Sequence, residues 1–205
     1  MRYNIYTFDF PKHGVNTNSK VTPCFDNYCN YAVDFINNHN LRNIILIGHS
    51  MGGGIAQCIY PRISDRVKKI ILLDPLNPFA KMSTIDMIVG GVKMLFSKEK
   101  KEFMDKFITP ENDKQLSKEN LLKLLLNITN SDSLEKIKNG SYKINVPTLI
   151  LFGQEDNVIN HEKSKKFYDS APFKHEFVLV PNSKHSPDLQ NTGFFLKTIT
   201  KFLND

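Results

Sequence analysis

Short apolar runs alternate with longer stretches of helical periodicity along most of this chain. The apolar runs predict buried strands at residues 3–8, 44–47, 69–73, 148–152 and 176–180. The periodic stretches predict helices at residues 25–39, at residues 52–60, where Pro61 should end the helix, and at residues 191–203. Strands that alternate with helices indicate an α/β fold, in which helices flank a mostly parallel sheet.

This alternation stops in residues 77–143. The stretch is rich in methionine, leucine and lysine, contains the apolar run LLKLLL at residues 121–126, and predicts helices only. An insertion after a strand can cover the strand ends, so we assign residues 77–143 to a helical cap or lid and residues 1–76 and 144–205 to the core. The alternative is a helical layer that merely packs on the sheet.

The pentapeptide Gly48-His49-Ser50-Met51-Gly52 joins a predicted strand to a predicted helix. A G-x-S-x-G sequence in this position is typical of a nucleophile elbow, a strained turn that exposes the serine hydroxyl. We expect glycines two positions from the serine because side chains there would collide. The helix that follows directs its positive end and free N–H groups at the serine, which favours a developing oxyanion. A phosphate-binding loop fits less well, because its lysine is missing.

A serine hydroxyl needs a general base before it becomes a good nucleophile. His185 is the best candidate, because it lies in a polar loop, residues 182–187, between the last predicted strand and the last predicted helix. The other histidines lie within the elbow (His49), at the end of a helix (His39), on the predicted surface (His161 and His175) or in a separate N-terminal motif (His13).

The base in turn needs a carboxylate that fixes its tautomer. Asp156 lies just past the predicted strand at residues 148–152 and precedes His185 by enough residues for one helix and one strand. The neighbouring Glu155 is an alternative, and so is Asp74, which follows the preceding strand.

Composition narrows the choice of partners and compartment. The chain has 205 residues and a net charge of +6, but its lysines are scattered, and glutamates interleave the cluster at residues 97–102. A solvated helix face explains that cluster better than a nucleic-acid site. Neither a signal-peptide pattern nor an apolar run of roughly 18 residues is present. With three cysteines that lack metal-site spacing, these features predict a cytoplasmic protein without stable membrane insertion.

Four motifs, in this order, resemble the α/β-hydrolase family in its esterase and monoacylglycerol-lipase-like branch. They are FDFPKHG at residues 8–14, GHSMGG at 48–53, FGQEDNV at 152–158 and NSKHSP at 182–187. The resemblance implies a catalytic triad of Ser50, Asp156 and His185, and a structural turn for Asp9 and His13. It also implies hydrolysis of carboxylic esters without a metal or organic cofactor. The serine at the elbow argues against the branches that use aspartate there.

The front of the chain departs from the family pattern. Family members have further strands before the turn at residues 11–14, and one of them carries a loop that donates one of the two oxyanion N–H groups. Here only the backbone N–H of Met51 is identifiable as an oxyanion donor. The sheet should also lack a strand between those that hold Phe8 and Ile45, which leaves backbone groups unpaired. We expect that the protein begins further upstream, that the two strands have closed up, or that the chain is a decayed fragment.

The sequence therefore predicts a serine hydrolase that cleaves small-molecule carboxylic esters through an acyl-enzyme. The methionine- and leucine-rich insertion favours an apolar acyl pocket for short- to medium-chain esters. Loss of one oxyanion donor typically costs about 10²–10³ in kcat, so we expect little turnover from the 205-residue form. The alternatives are a catalytically impaired or non-catalytic α/β-hydrolase-like module, and a basic surface that binds nucleic acid or anionic membrane.

Overall fold

A computed structural model describes residues 3–16, 18–79 and 118–205, and its centre is a parallel sheet. The strands are β1 (Ile44–His49), β2 (Val67–Leu73), β3 (Thr148–Gly153) and β4 (His175–Val180). They lie in the order β1-β2-β3-β4, and every neighbouring pair is parallel. All carboxyl ends therefore reach the same edge of the sheet. The predicted α/β class with a parallel sheet is confirmed.

Helices flank this sheet. Within the described residues they are α1 (Phe25–Asn38), α2 (Met51–Ile63), α3 (Lys118–Ile128), α4 (Ser131–Ser141), α5 (His161–Ser170), α6 (Pro187–Gln190) and α7 (Thr192–Asn204). Asn130, Asn160 and Asn191 precede α4, α5 and α7, and each side-chain oxygen accepts a backbone N–H from the first turn. Such caps satisfy donors that have no partner inside the helix. None of the helices in these ranges combines the length and apolar character needed to cross a membrane.

The two faces of the sheet are covered by different helices. Strands that follow one another in chain order with right-handed crossovers place their connecting helices on one face. On that face Leu72 and Ile150 belong to a core cluster that also contains buried residues of α1 to α5. The opposite face, with Ile71 and Leu149, packs against Phe202 of α7. With both faces covered, continuous apolar runs such as 148–152 are what a parallel sheet requires.

The end of the predicted insertion packs on the core. Leu124 of α3 and Ile137 of α4 are buried in the same cluster as α1 and α2. Gly140 lets α4 approach α2 closely, because a Cβ there would lie 2.2 Å from the backbone oxygen of Gln57. Residues 80–117, where most of the cap or lid was predicted, lie outside the described residues, so the lid stays a prediction.

The first predicted strand is wrong. Residues 3–10 form no strand, and they have not closed up against β1. Instead Phe8 packs against Phe35, with ring centroids 4.6 Å apart, and Phe10 stacks on Tyr28 at 4.8 Å. A strand needs a hydrogen-bonded neighbour, and in the described sheet no strand pairs with the outer edge of β1. The segment is therefore held by aromatic contacts to α1.

Two smaller expectations also fail. Residues 44–47 were expected to be buried on both faces, yet Ile47 is 56% exposed, because within the described sheet β1 pairs only with β2. Helix α2 was expected to stop before Pro61 but continues to Ile63. Pro61 cannot donate a hydrogen bond to the carbonyl four residues earlier, and its ring crowds that carbonyl, but only two residues of the helix follow it.

Candidate active site

The residues that the sequence singled out meet at the carboxyl edge of the sheet. Ser50 follows β1 directly, Asp74 follows β2 directly, Asp156 comes shortly after β3 and His185 after β4. The parallel strand order brings these four positions together, although they are far apart in the chain.

Ser50 has a strained backbone conformation at the start of α2. Its φ of 50° and ψ of −117° lie outside the regions that L-residues normally adopt. Its N–H donates to the Leu73 carbonyl over 2.9 Å, and its own carbonyl accepts N–H groups from Leu76 and Gly53 over 2.9 and 3.0 Å. These bonds hold the strain, as a nucleophile elbow requires.

The glycines around Ser50 differ in what they do. A Cβ on Gly48 would lie 2.4 Å from the backbone oxygen of Gly52, and one on Gly53 would lie 2.6 Å from the Cβ of Pro75. A Cβ on Gly52 would meet nothing within 4 Å. The expected collision two positions from the serine is therefore correct for Gly48 and wrong for Gly52.

His185 bridges Ser50 and Asp156. Its Nε2 lies 2.9 Å from Ser50 Oγ, and its Nδ1 lies 2.9 Å from Asp156 Oδ2. A carboxylate can only accept hydrogen bonds, so His185 carries its proton on Nδ1 and donates it to Asp156. The unprotonated Nε2 then accepts the hydrogen bond that the Ser50 hydroxyl donates.

The side chain of Asp156 is fully buried, with 0% exposure. Its Oδ1 accepts backbone N–H groups from Val158 and Ile159 over 2.7 and 3.2 Å. Burial by itself raises the pKa of Asp156, but the hydrogen bonds of its carboxyl group, first of all that of His185, and the charge of His185 together outweigh burial, and the pKa lies below its usual value. Asp156 is therefore a carboxylate at neutral pH.

Several bonds hold the loop that carries His185. The Ser183 carbonyl accepts the N–H of Glu155 over 2.8 Å, and the Lys184 N–H donates to Gln190 Oε1 over 2.6 Å. The ring nitrogen Nε2 of His49 lies 2.7 Å from the His185 carbonyl oxygen. The loop is thus tied to the end of β3, to α6 and to the elbow.

The alternative residues make other contacts. Glu155 is exposed, and Asp74 is buried with Oδ1 accepting the Gly153 N–H over 2.9 Å. His13 Nε2 lies 2.9 Å from the Tyr28 hydroxyl, and Asp9 accepts the N–H of Val15 in the N-terminal turn.

Sequence reasoning missed three contributions. The sequence indicated Asp74 only as an alternative to Asp156 and gave His49 no role, although both residues lie beside His185. It did not single out Gly153, whose Cα meets the backbone of the His185 loop: a Cβ there would lie 1.7 Å from the Lys184 carbonyl oxygen. The position of Asp74 directly after a buried strand was the available signal. Nothing in the sequence indicated the contact of Gly153.

One group of side chains in the described ranges has the spacing of a metal site. His49, Asp74 and His185 each offer a ligand atom, and these atoms lie within 4.8 Å of one another. Both ring nitrogens of His185 already face Ser50 and Asp156, so a metal ion would compete with these contacts.

Met51 is the first residue of α2. Its backbone N–H belongs to the first turn, whose donors have no acceptor within the helix, and it lies at the positive end of the helix dipole.

Comparison with known proteins identifies the family. Residues 2–187 match the Hydrolase_4 family, described as serine aminopeptidase S33. A protein of Mycoplasma genitalium named "Putative esterase/lipase 1" is 27% identical over 220 residues, which cover 98% of this chain and 82% of that protein.

Solved structures show the same fold. An esterase from Exiguobacterium antarcticum superposes with a TM-score of 0.69 at 20% identity, covering 90% of this chain and 75% of the esterase. A monoacylglycerol lipase from Paleococcus ferrophilus superposes with a TM-score of 0.71 at 17% identity, covering 97% of this chain and 82% of the lipase. The chain therefore belongs to the serine aminopeptidase S33 family of α/β-hydrolases.

Proposed function

We propose that the chain hydrolyses small-molecule carboxylic esters with Ser50 as nucleophile, His185 as general base and Asp156 as the carboxylate that orients His185. The observation that carries this proposal is the unbroken hydrogen-bond chain from Ser50 Oγ through His185 to Asp156, with both distances at 2.9 Å. The named esterase/lipase relatives support the choice of ester as substrate.

In the proposed reaction, Ser50 Oγ attacks the ester carbonyl carbon while its proton passes to His185 Nε2. The imidazolium that forms is stabilised by Asp156, and the oxyanion faces the backbone N–H of Met51. Collapse of the tetrahedral intermediate releases the alcohol, which takes the proton from His185. Water then attacks the acyl-enzyme with His185 again as base, which releases the acid and restores Ser50.

The family description names aminopeptidases, so amides are the competing substrates. We propose short- to medium-chain aliphatic esters as the preferred class, as the apolar composition of residues 77–143 favours. The chain's three cysteines form no disulfide, which agrees with the proposed cytoplasmic location. We propose no nucleic-acid partner and no organic or metal cofactor for this reaction.

A fluorophosphonate probe tests whether Ser50 is activated. We expect labelling of the wild-type chain and none of Ser50→Ala, while Ser64→Ala, the same substitution at the exposed far end of α2, should label like the wild type. A folded wild-type protein that does not label would favour the non-catalytic module.

Kinetics test whether the three residues act as one unit. We expect Ser50→Ala and His185→Ala each to lower kcat by about 10³-fold or more, and the double variant to lose little beyond either one. Losses that multiply would contradict the triad. A panel of p-nitrophenyl esters and aminoacyl p-nitroanilides tests the substrate class, and faster cleavage of the anilides would contradict ester hydrolysis as the function.

A further inference from the structure

Asp74 is a buried acid that the proposed triad does not use. It is the residue after β2, it is 0% exposed, and it has a positive φ of 39°. Its N–H donates to the Leu151 carbonyl over 2.8 Å, and its Oδ1 accepts the Gly153 N–H over 2.9 Å. These bonds fix the side chain between the ends of β2 and β3.

The second oxygen of Asp74 has no donor. Asp74 Oδ2 is buried and, among the described residues, forms no hydrogen bond with an N–H or hydroxyl group. A carboxyl oxygen of Asp74 lies within 4.8 Å of a His185 ring nitrogen, and His185 Nδ1 lies 2.9 Å from Asp156 Oδ2, so the two carboxyl groups are close neighbours at the same ring. Two ionised carboxylates repel at this range, whereas a carboxylic acid can donate its proton to a carboxylate. This arrangement favours a proton on one of the two groups.

The hydrogen bonds decide which group holds the proton. Asp156 accepts two backbone N–H groups and the His185 Nδ1–H, all of which stabilise a carboxylate. Within the described ranges, Asp74 accepts one N–H, that of Gly153. Burial, together with the negative charge of Asp156, raises the pKa of Asp74 to about 9. Asp188 adds to this rise, and a ring nitrogen of His49 also lies near the Asp74 carboxyl.

We propose that Asp74 is a positioning residue whose protonated carboxyl group donates a hydrogen bond from Oδ2 to the Asp156 carboxylate and so holds Asp156 in line with His185. As a contribution to catalysis this inference rests on the function proposed above. The hydrogen-bonded pair itself is a property of the folded chain and can be measured without turnover.

Two substitutions separate this role from simple packing. Asp74→Asn keeps both interactions, because the amide oxygen can accept the Gly153 N–H while the NH₂ group donates to Asp156. Asp74→Ala removes both. We expect Asp74→Ala to lower kcat about tenfold or more with KM little changed, and Asp74→Asn to recover most of that loss at neutral pH.

The pH profile gives a second kinetic measurement. Above about pH 9 the wild-type Asp74 loses its proton, the two carboxylates repel, and kcat should fall. The asparagine has no proton to lose, so Asp74→Asn should lack this alkaline limb. An unchanged limb in Asp74→Asn, or equal losses in both variants, would overturn the proposal.

NMR of the full chain with ¹³C-carboxyl-labelled aspartate tests the protonation of the Asp74 carboxyl group independently of activity. We expect one carboxyl signal that titrates near pH 9 in the wild type and is absent from Asp74→Asn. The His185 Nδ1–H proton signal should persist in Asp74→Asn and weaken in Asp74→Ala. If Asp74→Ala does not fold, the titration and the Asp74→Asn spectrum still apply. An Asp74 signal that titrates below pH 6 overturns the proposal. A signal near pH 9 in a chain that cleaves no ester supports the pair and instead contradicts the proposed function.

Discussion

Gly153 ends β3 at the point where the sheet meets the loop that carries His185. Replacing Gly153 with alanine would place a Cβ 1.7 Å from the Lys184 carbonyl oxygen and 2.7 Å from the Ser183 carbonyl oxygen. Both contacts are backbone atoms, so no side-chain rotation can relieve them. Either the end of β3 or the His185 loop has to move.

The size of that movement follows from the distances. Ordinary van der Waals contact begins near 3.4 Å, so the loop has to retreat by well over 1 Å from its position. A displacement of about 1 Å in a catalytic group can cost about 10²-fold in rate. Overpacking of this kind also destabilises a protein by about 1–3 kcal/mol. We therefore expect Gly153→Ala to lower kcat/KM about 100-fold or more and to lower Tm by about 2–4 °C per kcal/mol.

Ester hydrolysis and thermal unfolding of Gly153→Ala measure both effects. Gly193→Ala is the matched control, because a Cβ at Gly193 in α7 meets nothing within 4 Å. Gly193 is the second residue of α7 and not in its middle, so that substitution should raise the stability by about 0.5 kcal/mol or less and leave kcat/KM unchanged. Wild-type kcat/KM and Tm in Gly153→Ala would refute the reasoning, because the loop would then tolerate a side chain at residue 153.

Two further predictions concern buried polar groups. Gln57 is 0% exposed, and its side chain bonds two backbone carbonyls and the hydroxyls of Ser141 and Tyr168. Gln57→Leu leaves the Tyr168 hydroxyl without its acceptor and the Leu76 carbonyl without this donor, whereas Ser141 can still donate to the Ile137 carbonyl. The substitution should lower the free energy of unfolding by about 2–4 kcal/mol in urea titrations. The folded-state pKa of Asp74 is raised to about 9, so between about pH 4 and 9 the folded chain holds a proton that the unfolded chain has lost. The free energy of unfolding of the wild type should therefore fall as the pH rises through this range, by up to about 1.4 kcal/mol per pH unit. Asp74→Asn should lack that slope in the same titrations, and an identical pH dependence would contradict the raised pKa.

The candidate site was largely readable from the sequence, because its geometry follows from local patterns. A G-x-S-x-G between an apolar run and a helix predicts the elbow at Ser50, and the observed strained φ of 50° agrees with it. Asp156 and His185 could be placed at the same edge, since each follows a buried strand and parallel strands present their carboxyl ends together. The capping asparagines before α4, α5 and α7 are equally local signals.

Contacts between distant segments could not be read in this way. Residues 3–8 form a short apolar run typical of a strand, but a strand forms only when a neighbour supplies hydrogen bonds, and among the described residues none does. Residue 153 must be glycine because the Lys184 backbone, which is distant in sequence, lies against it. The G-x-S-x-G motif likewise gives no information on the open space around Gly52.

The sequence by itself determined the α/β class, the elbow and the order of the three proposed catalytic residues, because these depend on periodicity and on turn chemistry. The tertiary structure decided which acid faces His185. Asp74 and Asp156 both follow buried strands, but only Asp156 bonds His185 Nδ1, while Asp74 turns to the Gly153 N–H. That choice depends on angles and distances between neighbouring strand ends, and no pattern within one segment records them.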